Sequence, residues 1–325
     1  GQKGFAPDPV LADWLERSQS AADHQLWIRR LLVALEQLDR ADITTIHGFC
    51  SRSLRRLALS NGAAMEPQLD PDPAALQAEV VQDLWQQELL SLPPDQLKAL
   101  RQRGLSPQAL KRGLAQLDGE QQPRFRARDA AFVLDQSLAP QLDKCVAQLW
   151  KDFVPLWHQE HADLDAGFRQ AAEQWKAQGC GPTTPYSAKP KTDRCAQIDR
   201  WLHAQTAVPT LLEIAAHDKP LKEYFHPSSW CRIARKCGEA DPSLVMPALQ
   251  SAVAALWDAP IELAWQYLLE RGLQELARRR RRRGVITFAG LLAAMDPGDG
   301  VADWLLPLQQ RYRAVMVDEF QDTDP

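Results

Sequence analysis

The sequence predicts a mostly α chain with a small parallel α/β part at its two ends. Apolar residues recur at three- and four-residue spacing through most of residues 70–283, which is helical periodicity. Short β-branched or continuous apolar runs stand only near the ends, at residues 43–46, 285–288 and 314–317. A chain of 325 residues with 45% hydrophobic and 25% charged residues can bury a sizeable core, which excludes a disordered or collagen-like protein. Its length suits two domains, or one domain carrying a large insertion.

The formal net charge of −4 excludes a strongly basic nucleic-acid tail protein. It does not exclude DNA as a partner, because an acidic helical body and local basic patches average to that value. No uncharged apolar run approaches the 18 residues of a membrane span, and residues 1–9 carry no apolar leader segment. None of the 6 cysteines forms a C-x-x-C pair, and the closest two, Cys231 and Cys237, have no histidine at zinc spacing. The expectation is a reduced, cytoplasmic protein with neither a disulfide nor a zinc framework. His158 and His161 share a helical face without a third ligand nearby, so no metal site is expected there.

The elements follow in order. Leu11, Trp14 and Leu15 share one helical face, and Trp27, Leu31, Leu32 and Leu35 share another. The β-branched stretch Ile43-Thr44-Thr45-Ile46 predicts a strand, and helical spacing resumes over residues 47–60, with Gly62 just past the end. Asp72-Pro73 reads as an N-cap followed by proline at the first helical position, and Ser106-Pro107 repeats that signal. Residues 130–175 predict a long helix interrupted near Pro140 and Pro155. Residues 179–192, rich in glycine, proline, threonine and lysine, predict an exposed loop. Helix is expected again over residues 244–283, then a strand or helix start at 285–288, then helix over 304–311. The apolar run Ala314-Val315-Met316-Val317 predicts a strand buried on both faces. The 11 tryptophans are assigned to the core, since large aromatics are usually buried. The arginine block at 278–283 reads equally as a phosphate-binding patch and as a solvated helix C-terminus.

Chemistry concentrates in the string Asp318-Glu319-Phe320-Gln321-Asp322-Thr323. An apolar strand ending in two acids can place one carboxylate on Mg²⁺ and direct the other at an attacking water. Its plainer alternative is a strand running into an acidic surface turn. Far upstream, Thr44-Thr45-Ile46-His47-Gly48-Phe49-Cys50 sets hydroxyls and a histidine at a helix start, followed by Arg52, Arg55 and Arg56. Helix-start N–H groups, hydroxyls and guanidinium groups suit a nucleic-acid backbone. The alternatives are a capped turn for Thr45 and His47 and a solvated helix face for the arginines. Phe49 and Cys50 are assigned to the core.

These strings resemble motif II and the TIHGFC segment of the superfamily-one helicases of the UvrD/RecB group. The resemblance implies part of a RecA-like P-loop NTPase domain, interrupted by a large helical insertion. It implies part of the first motor domain at residues 1–69, the insertion at 70–283 and a return to the motor domain at 284–325. By position, Asp318 would hold Mg²⁺ together with Glu319, Glu319 would be the catalytic base, and Gln321 would sense the ATP γ-phosphate. Thr45, His47, Arg52 and Arg55 would contact DNA. The segment at 283–292 is similar to the family's FDDLL element, but Ala289 and Gly290 stand where two acids are usual. About 270 residues separate the two main motifs, a separation similar to the long-insertion RecB type. That type is an ATP- and Mg²⁺-dependent 3′-to-5′ helicase subunit of a helicase-nuclease for double-strand breaks. Its implied partners are single- and double-stranded DNA with RecC-like and RecD-like subunits. The rivals are an AddA-type helicase-nuclease subunit and a non-catalytic helical module that binds DNA or another subunit.

No G-x-x-x-x-G-K-[ST] occurs in the sequence. In the family that loop precedes the TIHGFC segment, so the resemblance implies that this chain is an internal piece of a longer protein. The arginine-bearing motifs and the second motor domain would then follow residue 325, and the piece by itself would hydrolyse no ATP.

Overall fold

The computed structural model describes residues 21–38, 42–61, 68–118, 132–180, 186, 193–296, 306–312 and 315–316. The chain divides into two compact units, Gly1–Pro67 with Ala294–Pro325, and Gln68–Ala293. The described residues are predominantly helical with one two-stranded parallel sheet, the fold class that the sequence predicts.

The larger unit begins with β1 (Gln68–Leu69) and continues through α3 (Pro73–Leu84), α4 (Pro94–Gln102) and α5 (Pro107–Asp118). The long α6 (Leu138–Ala177) follows, then α7 (Arg194–Ala204), α8 (Leu211–Ala216), α9 (Pro227–Lys236) and the long α10 (Pro247–Arg283). It closes with β2 (Val285–Ile286) and α11 (Phe288–Ala293). Asp72 accepts a hydrogen bond from the Ala75 N–H at 3.0 Å and Ser106 Oγ accepts one from Ala109 at 3.2 Å, so both sequence-read caps form. π-helical turns at Trp85–Leu89 and Lys219–Phe225 follow α3 and α8.

The core lies chiefly between α6 and α10, whose mutual packing is the most extensive among the described elements. Leu142, Val146, Phe153, Trp157, Leu164 and Phe168 of α6 are buried at helical spacing, as are Val253, Leu256, Leu263, Tyr267 and Leu276 of α10. Prolines interrupt neither helix. Pro140 sits in the first turn of α6, where its missing N–H has no intrahelical partner to lose. Pro155 lies inside α6, and the apolar face carrying Phe153 and Trp157 holds the helix through it. Where the sequence predicts a break, burial over a 40-residue helix prevails.

Tryptophans serve this core. Trp157, Trp175, Trp201, Trp230 and Trp257 are buried. Phe168 stacks on Trp230 at 4.6 Å between ring centres. The indole N–H groups of Trp157, Trp175 and Trp230 donate to Asp199, Glu239 and the Ser243 carbonyl. The expected exposed loop at 179–192 needs correction at Tyr186. That side chain is fully buried against Phe168, and its hydroxyl donates to the Tyr224 carbonyl at 2.7 Å. The expectation of no disulfide also needs correction, because Cys180 and Cys237 are bonded with their Cα atoms 5.5 Å apart. Each follows the end of a helix, α6 and α9, and their separation of 57 residues leaves no spacing signal in the sequence.

The arginine block is a network of ion pairs. Arg278 and Arg279 donate to Glu275, Arg279 also to Asp83, and Arg283 to Glu79 at 2.7 Å. Arg280 donates to both carboxylate oxygens of Asp118, which also accepts from Gln77. So α3 and α5 meet the last turns of α10 through charge, with the pair Arg280–Asp118 largely buried. Gly284 then ends α10 at φ 63°, a left-handed conformation that a side chain would resist. This turn delivers β2 beside β1 in parallel register, Gln68 to Val285 and Leu69 to Ile286. The expected strand or helix start at 285–288 proves to be both.

The smaller unit contains α1 (Ala21–Glu36), α2 (Ile46–Asn61) and α12 (Leu306–Arg311). Neither strand expected in this unit forms among the described residues. Residues 42–45 form a non-helical lead into α2, and Ile43 is 78% exposed. Val315 and Met316 form no strand and are 72% and 98% exposed; Ala314 and Val317 lie outside the described residues. β-Branched composition alone makes no strand, which requires a neighbour to share its ladder. Leu11, Trp14, Leu15 and Gly62 also lie outside the described residues.

Two outcomes are expected for the larger unit. Asp118→Asn should cost about 3 kcal/mol, since it strips a largely buried arginine of its counter-charge; calorimetry should then show a midpoint lower by roughly 6–12 °C. Burial alone would raise the Asp118 carboxyl, but hydrogen bonds from Arg280 and Gln77 outweigh it and lower its pKa. Glu275 is held down to about 2, chiefly by its hydrogen bond from Arg278. Both carboxyls titrate lower when folded, so the stability they contribute is complete above their unfolded pKa values. A denaturant series over pH should show it falling away from about pH 4.5 toward pH 2.

Candidate nucleic-acid contact segment

Residues 42–45 lead into α2 through a capped turn. Thr45 Oγ1 accepts from the Gly48 N–H at 3.1 Å, and the Thr45 carbonyl accepts from Phe49 at 2.9 Å. Threonine can do this because its oxygen reaches back over the first turn, which carries no acidic residue. Gly48 permits it, since a Cβ there would collide with the Thr44 hydroxyl. The helix therefore starts with exposed Thr44 and Thr45 and a half-buried His47, which makes a contact of its own within the protein. A positive helix start with hydroxyls and no acid can receive a phosphate.

The face of α2 beyond this turn is mixed. Cys50, Ser53, Leu54 and Leu57 are buried, and burial raises the Cys50 thiol pKa. Phe49 packs edge-on against Tyr312 with ring centres 5.4 Å apart. Arg55 is exposed. Arg52 and Arg56 instead approach Asp42, Arg52 Nε at 3.6 Å and Arg56 Nη1 at 3.2 Å. The Tyr312 hydroxyl donates to the same carboxylate and accepts from Arg56 at 2.9 Å. Arg311 Nε lies 3.9 Å from Asp42. The Tyr312 hydrogen bond, then Arg56, hold the Asp42 carboxyl below its ordinary pKa.

Of the sequence-predicted DNA contacts, Thr45, His47, Arg52 and Arg55 are thus gathered on the first turns of one helix. Thr45 is occupied as a cap and Arg52 faces Asp42, while Arg55 points to solvent. The sequence reading missed Asp42 and Tyr312. Their pairing spans 270 residues of chain, so no local pattern announces it. Asp318, Glu319, Gln321, Asp322 and Thr323 lie outside the described residues. Ala289 and Gly290 fall within α11, where Thr287 Oγ1 accepts from the Gly290 N–H at 3.0 Å; the two missing acids leave an ordinary capped turn.

Among the described residues, no group of three or more histidine, cysteine, aspartate or glutamate side chains is placed to hold a metal ion. His161 Nδ1 lies 2.8 Å from the Trp157 carbonyl, with Nε2 3.8 Å from Asp199. No described helix is long and apolar enough to cross a membrane.

Comparison with known proteins agrees with these motifs. The RecBCD enzyme subunit RecB of Escherichia coli (strain K12) is 26% identical over 334 residues, covering 98% of this chain and 25% of that protein. The Haemophilus influenzae subunit of the same name is 25% identical over 324 residues, covering 91% of this chain and 25% of its own. That of Mycolicibacterium smegmatis is 51% identical over 57 residues, which cover 16% of this chain and 5% of its own. The chain thus spans about a quarter of the length of the relatives that align with it throughout. Residues 15–325 match the UvrD/REP helicase N-terminal domain, a RecA-like fold, so this chain belongs to that helicase family.

Proposed function

We propose that this chain is the motif-bearing part of an ATP-dependent 3′-to-5′ DNA helicase subunit of RecB type. The single observation that carries this reading is the family match over residues 15–325, which runs through both the capped Thr45 turn and the acidic string at 318–323. The subunit would act in a helicase-nuclease assembly with RecC-like and RecD-like partners on double-strand breaks, in DNA repair and recombination. The names of the E. coli and H. influenzae relatives, each a RecBCD enzyme subunit, support that assembly. The proposed layout gives residues 1–69 and 284–325 to the motor domain and 70–283 to a helical insertion lying along duplex DNA.

The proposed chemistry is hydrolysis of ATP with Mg²⁺. Aspartate and glutamate supply the hard oxygen ligands that Mg²⁺ prefers, so the donor set of Asp318 and Glu319 fits the ion. Bound there, Mg²⁺ would neutralise charge on the phosphates. Glu319 would accept the proton of the attacking water, and Gln321 would orient toward the γ-phosphate. Thr45, His47, Arg52 and Arg55 would hold the single strand through its phosphates. The work would take place in the cytoplasm, where the Cys180–Cys237 bond would meet a reducing thiol pool. Ala289 and Gly290, lacking the usual acids, point to some divergence, whereas intact Asp318, Glu319 and Gln321 argue against the rival reading of a non-catalytic binding module, which the same assays exclude or establish.

In the full-length protein, Glu319→Gln should lower the DNA-stimulated ATPase rate by at least about 100-fold, measured by phosphate release. An unchanged rate would refute Glu319 as the base, and a wild-type protein with no DNA-stimulated turnover would establish the binding-module reading. The 325-residue chain by itself should release no phosphate above background, and turnover that Glu319→Gln abolishes would refute this. Thr45→Ala should weaken single-stranded DNA binding and cost about 1 kcal/mol of helix cap, with Thr45→Ser restoring both in anisotropy and thermal melts.

A further inference from the structure

The two bonded cysteines occupy matching places in the fold. Cys180 stands just past the end of α6, and Cys237 directly follows α9. Each lies in a glycine-terminated helix cap, with Gly179 at φ 87° and Gly238 at φ 99°. The Cys180 N–H donates to the Trp175 carbonyl at 2.9 Å, and the Cys237 N–H to the Ile233 carbonyl at 3.0 Å. The two helix ends also meet without sulfur. The Trp175 indole donates to Glu239 at 2.7 Å, and its ring lies 5.0 Å from that of Trp230 on α9. These contacts hold the two Cα atoms 5.5 Å apart, a separation that a disulfide spans. Packing therefore keeps the two thiols within reach of each other when the bond is reduced, and a pair ordered in advance closes again readily. The other four cysteines carry no disulfide. Burial pushes the Cys145 thiol up to about 11 and the Cys195 thiol up to about 12, and raises that of Cys50, so few of these are thiolates near neutrality. Cys231 lies inside α9 rather than at its end.

We propose that Cys180 and Cys237 form a reversible redox site, a latch that small disulfides of the glutathione class close and small thiols open. In closing, one cysteine thiolate attacks a sulfur of the small disulfide and expels one small thiolate, leaving a mixed disulfide. The second cysteine thiolate attacks the protein sulfur of that mixed bond and expels the other small thiolate. The cysteine pair is oxidised, the small disulfide is reduced to two thiols, and the two cysteine protons end on them. The closed bond encloses residues 181–236, which contain α7, α8 and α9. A crosslink across that span restricts its opened states far more than its folded state, so oxidation stabilises this lobe against local opening.

The test incubates the full-length protein with oxidised glutathione or with dithiothreitol, maps its disulfides by mass spectrometry and follows hydrogen exchange. The oxidised protein should yield a peptide pair joined through Cys180 and Cys237, absent after dithiothreitol. Amides of α7 and α9 should exchange at least about tenfold more slowly in the oxidised form, while those of α2 in the smaller unit should not change. The reduced protein should keep α7 and α9 protected, since packing holds the lobe together. Cys180→Ser and Cys237→Ser should each abolish the difference between the two treatments. Absence of the joined peptide overturns the proposal, as does pairing with Cys195 or Cys231 in its place. Equal exchange in the two forms also overturns it. So does loss of all protection on reduction, which would make the bond a fixed structural crosslink.

Discussion

The packing of α6 against α10 is the constraint on which the larger unit depends. Two helices of 40 and 37 residues bury their apolar stripes together, and the shorter helices fill in around them. Burial on that scale explains why Pro155 and Pro260 sit inside helices. A lost backbone hydrogen bond costs a few kcal/mol, whereas each fully buried aromatic or leucine returns about 1.5–3 kcal/mol. The tryptophans serve this seam and its flanks, each of the three buried indoles with a described acceptor contributing one polar contact without leaving the core.

Charge organises the far end of α10. A run of six arginines suggests a phosphate patch when read as sequence, because like charges in a row repel and seek anions. In the folded unit the anions are internal. Glu79 and Asp83 come from α3, Asp118 from α5 and Glu275 from α10 itself, and together they take up Arg278, Arg279, Arg280 and Arg283. Arg281 and Arg282 remain exposed. The block thus fixes where α10 ends, and Gly284 then turns the chain so that β2 lies beside β1.

The smaller unit shows how local and distant effects combine at one site. The helix start at Thr45 is legible locally, as a threonine cap with glycine three residues on. Its surroundings are not. Asp42 and Tyr312 carry no motif of their own, and Arg52 and Arg56 take their direction from Asp42. Of the three arginines on α2, helical spacing could not say which would face an acid and which would face solvent, because the acid comes from the preceding loop.

The sequence by itself determined the family, the helical character of most of residues 70–283 and the cap residues there, because each depends on local periodicity or on a short string of chemically constrained residues. Tertiary structure decided the rest. It joined Cys180 to Cys237, buried Tyr186 from within a loop-like stretch, kept α6 continuous through its prolines and left residues 43–45 and 315–316 out of any described strand. These outcomes depend on partners far away in the chain, and a strand, a disulfide or a buried loop residue exists only where such a partner arrives.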